Sequence, residues 1–263
     1  MKYIDDWVVK ENIHIHESYS LLKLALDREI PEILPGQFVQ VRVDDSPSTF
    51  LRRPISINFV DKQSNELWLL IQLVGAGTRR LAKSTPGDLI NIVYPLGNGF
   101  SLPDDIFTDP DTNKKLLLIG GGVGVAPLLH LGAHLLTLKF KPMFLLGARS
   151  KKDLLQIDEF SKYGEVFMTT EDGTCGEKGY VTNHPVLNSG DFDYLYTCGP
   201  KPMMVAVAKY ARQHSIQGEV SLENNMACGI GACLCCVEKT TFGNIRTCIE
   251  GPVMNINTLA WQI

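Results

Sequence analysis

"LLLIGGGVGVAPLLHL", residues 116–131, runs an unbroken apolar stretch into three consecutive glycines, Gly120 to Gly122, then a fourth at Gly124, then an apolar segment of helical spacing. Apolar residues without polar alternation read as a strand covered on both faces. The glycines allow close backbone approach, and the helix N-terminus that follows suits a pyrophosphate. This predicts the opening βα unit of a parallel α/β sheet. "PMFLLGA" (142–148), "GEVFMTT" (164–170) and "FDYLYTCGP" (192–200) are further short buried strands. The last two end in polar or glycine residues, at the edge where open sheets bind ligands.

Working upstream, the pattern changes. Residues 5–100 hold six short strand-like runs, among them "WVVKENIHI", "GQFVQVRV", "RRPISINFV" and "ELWLLIQLV", with turn signals at Pro35-Gly36 and Pro86-Gly87. That spacing predicts an antiparallel barrel or sandwich, interrupted by one helix around "TRRLAKS". Residues 103–114 are polar, carry two prolines and lack periodicity, which marks a boundary. The expected fold class is multi-domain, β followed by α/β. A barrel spans 1–102, a parallel-sheet α/β domain 112–217, and a small cysteine- and glycine-rich domain 218–263.

The third segment carries the most specific motif. "ACGIGACLCCVEKT", residues 227–240, puts Cys228, Cys233, Cys235 and Cys236 within nine positions, and Cys248 follows. Cys228-x4-Cys233-x2-Cys236 with a distant fourth cysteine is the plant-type [2Fe-2S] spacing. Gly229 and Gly231 let backbone N–H groups turn toward negatively charged sulfurs. Cys235 breaks the spacing and is expected to pack under the loop, although a register using Cys235 instead of Cys236 also exists. The rival is structural zinc, whose sites usually bring cysteines as two short-spaced pairs.

Composition bounds the function. The 263 residues are 44% apolar with a net charge of −4, and no basic block suits nucleic acid. No run approaches a membrane span, and the N-terminus does not read as a signal peptide. Seven cysteines, five of them between 228 and 248, argue for metal or redox chemistry in a reducing compartment, the cytoplasm. His130 and His134 stand four apart on the predicted helix and read as packing residues; His14 and His16 share a face read as solvated. Glu223 either ends a strand or contacts a nicotinamide or flavin edge. Arg149, Lys151 and Lys152 follow the second α/β strand, where an adenosine 2′-phosphate would sit, and that strand end lacks the ribose-binding acid expected for NAD.

"PGQFVQV", "LRRPISI", "LVGAGTRRL", "YPLGNGF", "GGGVGVAPL" and "CGP" together resemble the ferredoxin-NADP reductase superfamily, a flavin-binding barrel followed by a nicotinamide-binding domain. With "MACGIGAC" added, the chain resembles the electron-transfer subunits of dihydroorotate dehydrogenase B from Trp7 to Val253. The resemblance implies that Arg53, Pro54, Ile55 and Ser56 bind FAD, Arg53 near its phosphates and Ser56 near the isoalloxazine. It implies that Leu70, Ile71 and Gln72 line the flavin and that Gly77 and Thr78 meet the FAD pyrophosphate. Ile55 stands where much of the superfamily has Tyr. Gly121, Gly122, Gly124, Cys198, Gly199 and Pro200 match the NAD side, with Cys198 a candidate nicotinamide contact. Cys228, Cys233, Cys236 and Cys248 would hold the cluster.

A nicotinamide moves two electrons at once and a [2Fe-2S] cluster one; a flavin does both, so the three form a converter. The sequence shows no nucleophile with a base and no paired carboxylates for a small organic substrate. The single electrons therefore pass to or from another protein. The resemblance implies an FMN-containing catalytic subunit that oxidises dihydroorotate in pyrimidine biosynthesis, in a heterotetramer of two plus two. Two other readings stand: a flavin and [2Fe-2S] subunit of a ferredoxin:NADP oxidoreductase or sulfhydrogenase, or a zinc-bearing interaction module on a degenerate reductase fold.

Overall fold

A computed structural model describes residues 1–109 and 111–261. Pro110, within the expected boundary segment, and the last two residues of the third segment lie outside the described residues. Seven strands form the first sheet: β1 (Tyr3–His16), β2 (Tyr19–Ala25), β3 (Phe38–Val41), β4 (Arg53–Ser56), β5 (Phe59–Asp61), β6 (Glu66–Gln72) and β7 (Leu89–Leu96). They pair antiparallel in the order β4-β3-β7-β1-β2-β6-β5. Helix α1 (Ala76–Leu81) joins β6 to β7, where the sequence predicts the one helix. Alternation along the strands sends Trp7, Val9, Leu22, Leu24, Val39, Val41, Leu67 and Leu69 into one core. β4 lies at the sheet's edge, where Pro54's missing N–H costs no ladder bond.

After the short α2 (Pro103–Ile106) comes the α/β unit: β8 (Leu116–Gly121), α3 (Ala126–Thr137), β9 (Met143–Ala148), α4 (Ile157–Phe160), β10 (Glu165–Thr170), β11 (Glu177–Lys178), β12 (Tyr194–Cys198), α5 (Lys201–Gln213) and β13 (Gln217–Ser221). A hairpin, β14 (Val237–Thr240) and β15 (Gly243–Arg246), precedes β16 (Val253–Asn255). The sheet runs β11-β10-β9-β8-β12-β13-β16, parallel except for β16. Strand order reverses between β8 and β12, which opens a crevice at their carboxyl ends.

The composition change at Gly218 falls inside β13, and β16 also pairs in this sheet. The cysteine unit is therefore an insertion between two sheet strands, residues 222–252, rather than a free-standing tail. The reason is burial: a segment this short and polar closes no core alone, and Ile256 and Leu259 pack instead among the α/β apolar residues.

Barrel and α/β unit share an apolar seam in which Tyr19, Leu21 and Leu70 pack with Val125, Ala126, Leu128 and Leu129. Asn58, fully buried, crosses it. Its amide N–H donates to the Ala126 carbonyl at 3.1 Å, and it exchanges reciprocal amide bonds with Gln156 at 3.0 and 2.9 Å. His130 Nε2–H donates across the same seam to the Ile33 carbonyl, 3.3 Å away, a packing role as expected. His16 departs from expectation: it is half-buried against Tyr19 and 3.7 Å from Asp153, because the α/β unit covers that face of the hairpin.

Candidate functional site

The cysteine loop wraps through Gly229 and Gly231 at φ of 68° and 85°, a region that L side chains rarely adopt. The wrap aims backbone amides inward. Ile230 and Ala232 N–H groups donate to the Cys228 Sγ at 3.4 and 3.3 Å, and the Gly231 N–H donates to Cys248 Sγ at 3.1 Å. The β14–β15 hairpin returns the chain so that Val237 faces Arg246, which puts Thr247 beside Cys236 and its neighbour Cys248 in reach. The sulfurs meet as two pairs, Cys228 with Cys233 and Cys236 with Cys248. Burial raises the Cys228 thiol, but the N–H donors and Cys233 together outweigh it and bring the group down to about 6.

Two cysteine pairs, each with amide donors, fit a two-iron centre. Cys235 corrects an expectation. It is exposed rather than packed under the loop, because Leu234 in the left-handed region (φ 58°) turns the chain outward.

Across the barrel, the half-buried residues Arg53, Pro54, Ile55 and Ser56 form the edge strand β4. A Cβ added at Gly77 would stand 3.0 Å from Arg53 Cδ and 3.0 Å from Thr49 Cγ2, so Arg53, Thr49 and the start of α1 converge. The Thr78 hydroxyl is occupied, bridging the N–H and C=O of Gly75 to cap α1, and its carbonyl accepts from the Ala82 N–H. The Leu70 side chain packs in the interdomain seam and the Ile71 side chain in the barrel core, because β6 is covered on both faces, so what these two positions present at the surface is backbone. Gln72, at the strand end, stays reachable.

At the switch point the glycines pack backbone on backbone. A Cβ at Gly124 would lie 2.4 Å from Gly199 Cα, and one at Gly121 would lie 2.5 Å from Met203 Sδ. Cys198 is fully buried, and burial together with the nearby Glu223 carboxylate raises its thiol well above the ordinary range, so it is neutral. Pro200 directly precedes α5.

Tyr19 was not singled out by any motif. Its hydroxyl lies 3.7 Å from where a Gly122 Cβ would stand, and burial plus Asp153 raise its pKa, with Arg149 opposing. Glu223 is exposed to solvent at the residue level yet crowded by protein near Cys198 and Tyr19, and that desolvation raises its carboxyl. Lys152 lies 3.7 Å from Glu17, and the loop carries an acid after all: Asp153, held by the Ser150 hydroxyl at 2.8 Å. Only folding shows that the β1–β2 hairpin tip, carrying His16 and Glu17, reaches this loop.

The comparisons bear on both halves. Residues 118–209 match the oxidoreductase NAD-binding domain, and residues 223–260 match the iron-sulfur cluster binding domain of dihydroorotate dehydrogenase B. The chain is 39% identical over 246 residues to the dihydroorotate dehydrogenase B (NAD(+)) electron transfer subunit of Lysinibacillus sphaericus, covering 92% of this chain and 93% of that one. It is 38% identical over 256 residues to the same subunit of Fusobacterium nucleatum, covering 95% and 96%. A solved structure of an NADH-dependent reduced ferredoxin-NADP oxidoreductase matches with a TM-score of 0.84 at 26% identity, over 97% of this chain and 90% of that one. Likeness sustained from the barrel through the cysteine loop leaves one assignment: the chain belongs to the family of dihydroorotate dehydrogenase B electron transfer subunits.

Proposed function

We propose that the chain passes electrons from the FMN of a dihydroorotate-oxidising catalytic subunit to NAD(+), by way of a [2Fe-2S] cluster and FAD, within a cytoplasmic heterotetramer of two plus two. The observation that carries this reading is the joining, in one fold, of two cysteine pairs with an open flavin-type edge strand and a strand-order switch point. Bound FAD exchanges two electrons with a nicotinamide and single electrons with a cluster.

The chain's own residues bind and orient. Arg53 would neutralise and the amides of Gly77 and Thr78 would hydrogen-bond the FAD phosphates, and Pro54, Ile55 and Ser56 on the free edge of β4 would hold the flavin, Ser56 nearest the isoalloxazine. Leu70 and Ile71 take part through backbone alone, with Gln72 at the rim. Gly121, Gly122 and Gly124 admit the NAD pyrophosphate, while Cys198, Gly199 and Pro200 form the opposite wall. Because the Cys198 thiol stays neutral, it fills space beside a nicotinamide without opposing hydride movement electrostatically. Cys228 and Cys233 would take one iron, Cys236 and Cys248 the other.

The test is to isolate the tagged chain anaerobically from its own cells, identify its partner, and assay dihydroorotate-dependent NAD(+) reduction. An FMN-bearing partner with that activity is expected. If the FAD and cluster are present but dihydroorotate reduces neither, the assigned electron donor is wrong. The basic residues Arg149, Lys151 and Lys152 favour a second reading, a ferredoxin:NADP oxidoreductase subunit, and NADP(+) reduction by reduced ferredoxin would establish it.

A further inference from the structure

Gln40 is fully buried, yet among the described residues neither its amide nitrogen nor its amide oxygen has a hydrogen-bond partner. An amide shut away from water with both ends unpaired is strongly unfavourable, and native proteins almost always supply the missing partner. Where it points narrows the partner. Strand alternation sends Val39 and Val41 into the barrel core and Phe38 and Gln40 out of the opposite face. On that face Phe38 packs with Met226, Cys236 and Cys248. Two residues on, the Gln40 side chain abuts the residue after Cys228: a Cβ at Gly229 would lie 2.6 Å from its Cγ and 2.7 Å from its Nε2.

The other side of Gln40 meets the flavin strand. In the β3–β4 pairing Gln40 stands opposite Pro54, and Phe38 opposite Ser56. Its amide thus occupies the ground between the edge strand and the cysteine loop. The backbone donors already on the loop, from Ile230, Gly231 and Ala232, all come from the loop itself. Gln40 is a donor from the barrel.

We propose that the Gln40 side-chain N–H donates to a sulfur of the cluster at the Cys228 end and thereby sets its reduction potential; this rests on the cluster reading above. Reduction adds negative charge to the cluster, so a donor aimed at its sulfur stabilises the reduced form more than the oxidised one and raises the potential. Gln40 is a positioning and tuning residue, not a catalytic one. It also ties cluster potential to the seating of the barrel against the cysteine loop.

The test is an EPR-monitored redox titration of the holoprotein with Gln40→Met, which keeps the volume and removes the donor. The expected result is a midpoint lowered by a tenfold or greater change in the reduction equilibrium, about 59 mV for one electron, with the flavin absorbance kept. A loaded cluster titrating at the wild-type midpoint overturns the proposal. Should Gln40→Met fail to assemble, wild-type protein labelled with 15N in glutamine side chains decides the matter. A 15N coupling in the pulsed EPR spectrum of the reduced cluster supports the bond, and its absence overturns it. A wild-type holoprotein with no [2Fe-2S] signal at all sinks the cluster reading itself, and the proposal with it.

Discussion

Gly124→Ala tests whether backbone contact at the switch point shapes the dinucleotide crevice. The added methyl would sit 2.4 Å from Gly199 Cα, 2.5 Å from Gly199 N and 2.7 Å from Cys198 C. Ordinary contact begins near 3.4 Å, so the turn after β8 and the end of β12 must separate by about 1 Å. All three atoms are backbone, and no side chain can swing aside to absorb the strain. Overpacking of this kind costs about 1–3 kcal/mol, which lowers Tm by about 2–4 °C per kcal/mol in a chain of this size. A displacement of about 1 Å at a positioning wall costs on the order of 100-fold in turnover. The assay is NADH-dependent reduction of ferricyanide by the flavin-loaded protein, with Tm and visible spectrum recorded beside it. The expected variant keeps its FAD and cluster absorbance, melts lower, and loses NADH turnover. Unchanged Tm with wild-type kcat and KM would refute the reasoning, because the two glycine turns would then not be in register as described.

Three further outcomes follow from the geometry. Cys236→Ser should lose the visible absorbance and EPR signal of the cluster while Cys235→Ser keeps both, since Cys236 is buried beside Cys248 and Cys235 faces solvent; bleaching by the second substitution would reassign the ligand. Arg53→Leu should lower FAD affinity about 10- to 100-fold, the equivalent of one charge-assisted bond of about 1.5–3 kcal/mol, read as the FAD retained after gel filtration. Burial pushes His130 down to about 4 from an ordinary 6.5. The unfolded chain therefore binds the extra proton between those values, so this residue's stabilisation is complete above about pH 6.5 and is lost as pH falls toward 4. That loss, up to about 3 kcal/mol from 1.36 kcal/mol per unit, should steepen the acid limb of urea unfolding, and His130→Phe should flatten it.

Most of the fold was legible because its signals are local. The glycine loop between a buried strand and a helix needs only a dozen residues to be recognised, and β8 and α3 stand where "LLLIGGGVGVAPLLHL" puts them. The cysteine spacing was equally readable, since a cluster imposes its geometry on consecutive residues. The flavin side was harder. Resemblance implies that Leu70 and Ile71 line the flavin, but which strand faces are already covered depends on the α/β unit packing on one side of β6 and the barrel core on the other. The end of the second domain is blurred for a related reason: composition changes at Gly218, whereas hydrogen bonding continues through β13 to β16.

The sequence by itself determined the nucleotide loop, the cysteine centre and their order along the chain, because strand-glycine-helix and cysteine spacing are each written in a short segment, while the flavin segment was legible through its resemblance to a family. Only the tertiary structure decided how they meet. Tyr19 at the glycine loop, Asn58 locked to Gln156, and Gln40 against Gly229 join residues 98 to 189 positions apart. No local pattern encodes such contacts. They arise because burying the faces of three units together removes apolar surface from water, and that packing alone chooses which polar side chains are left pointing at the site.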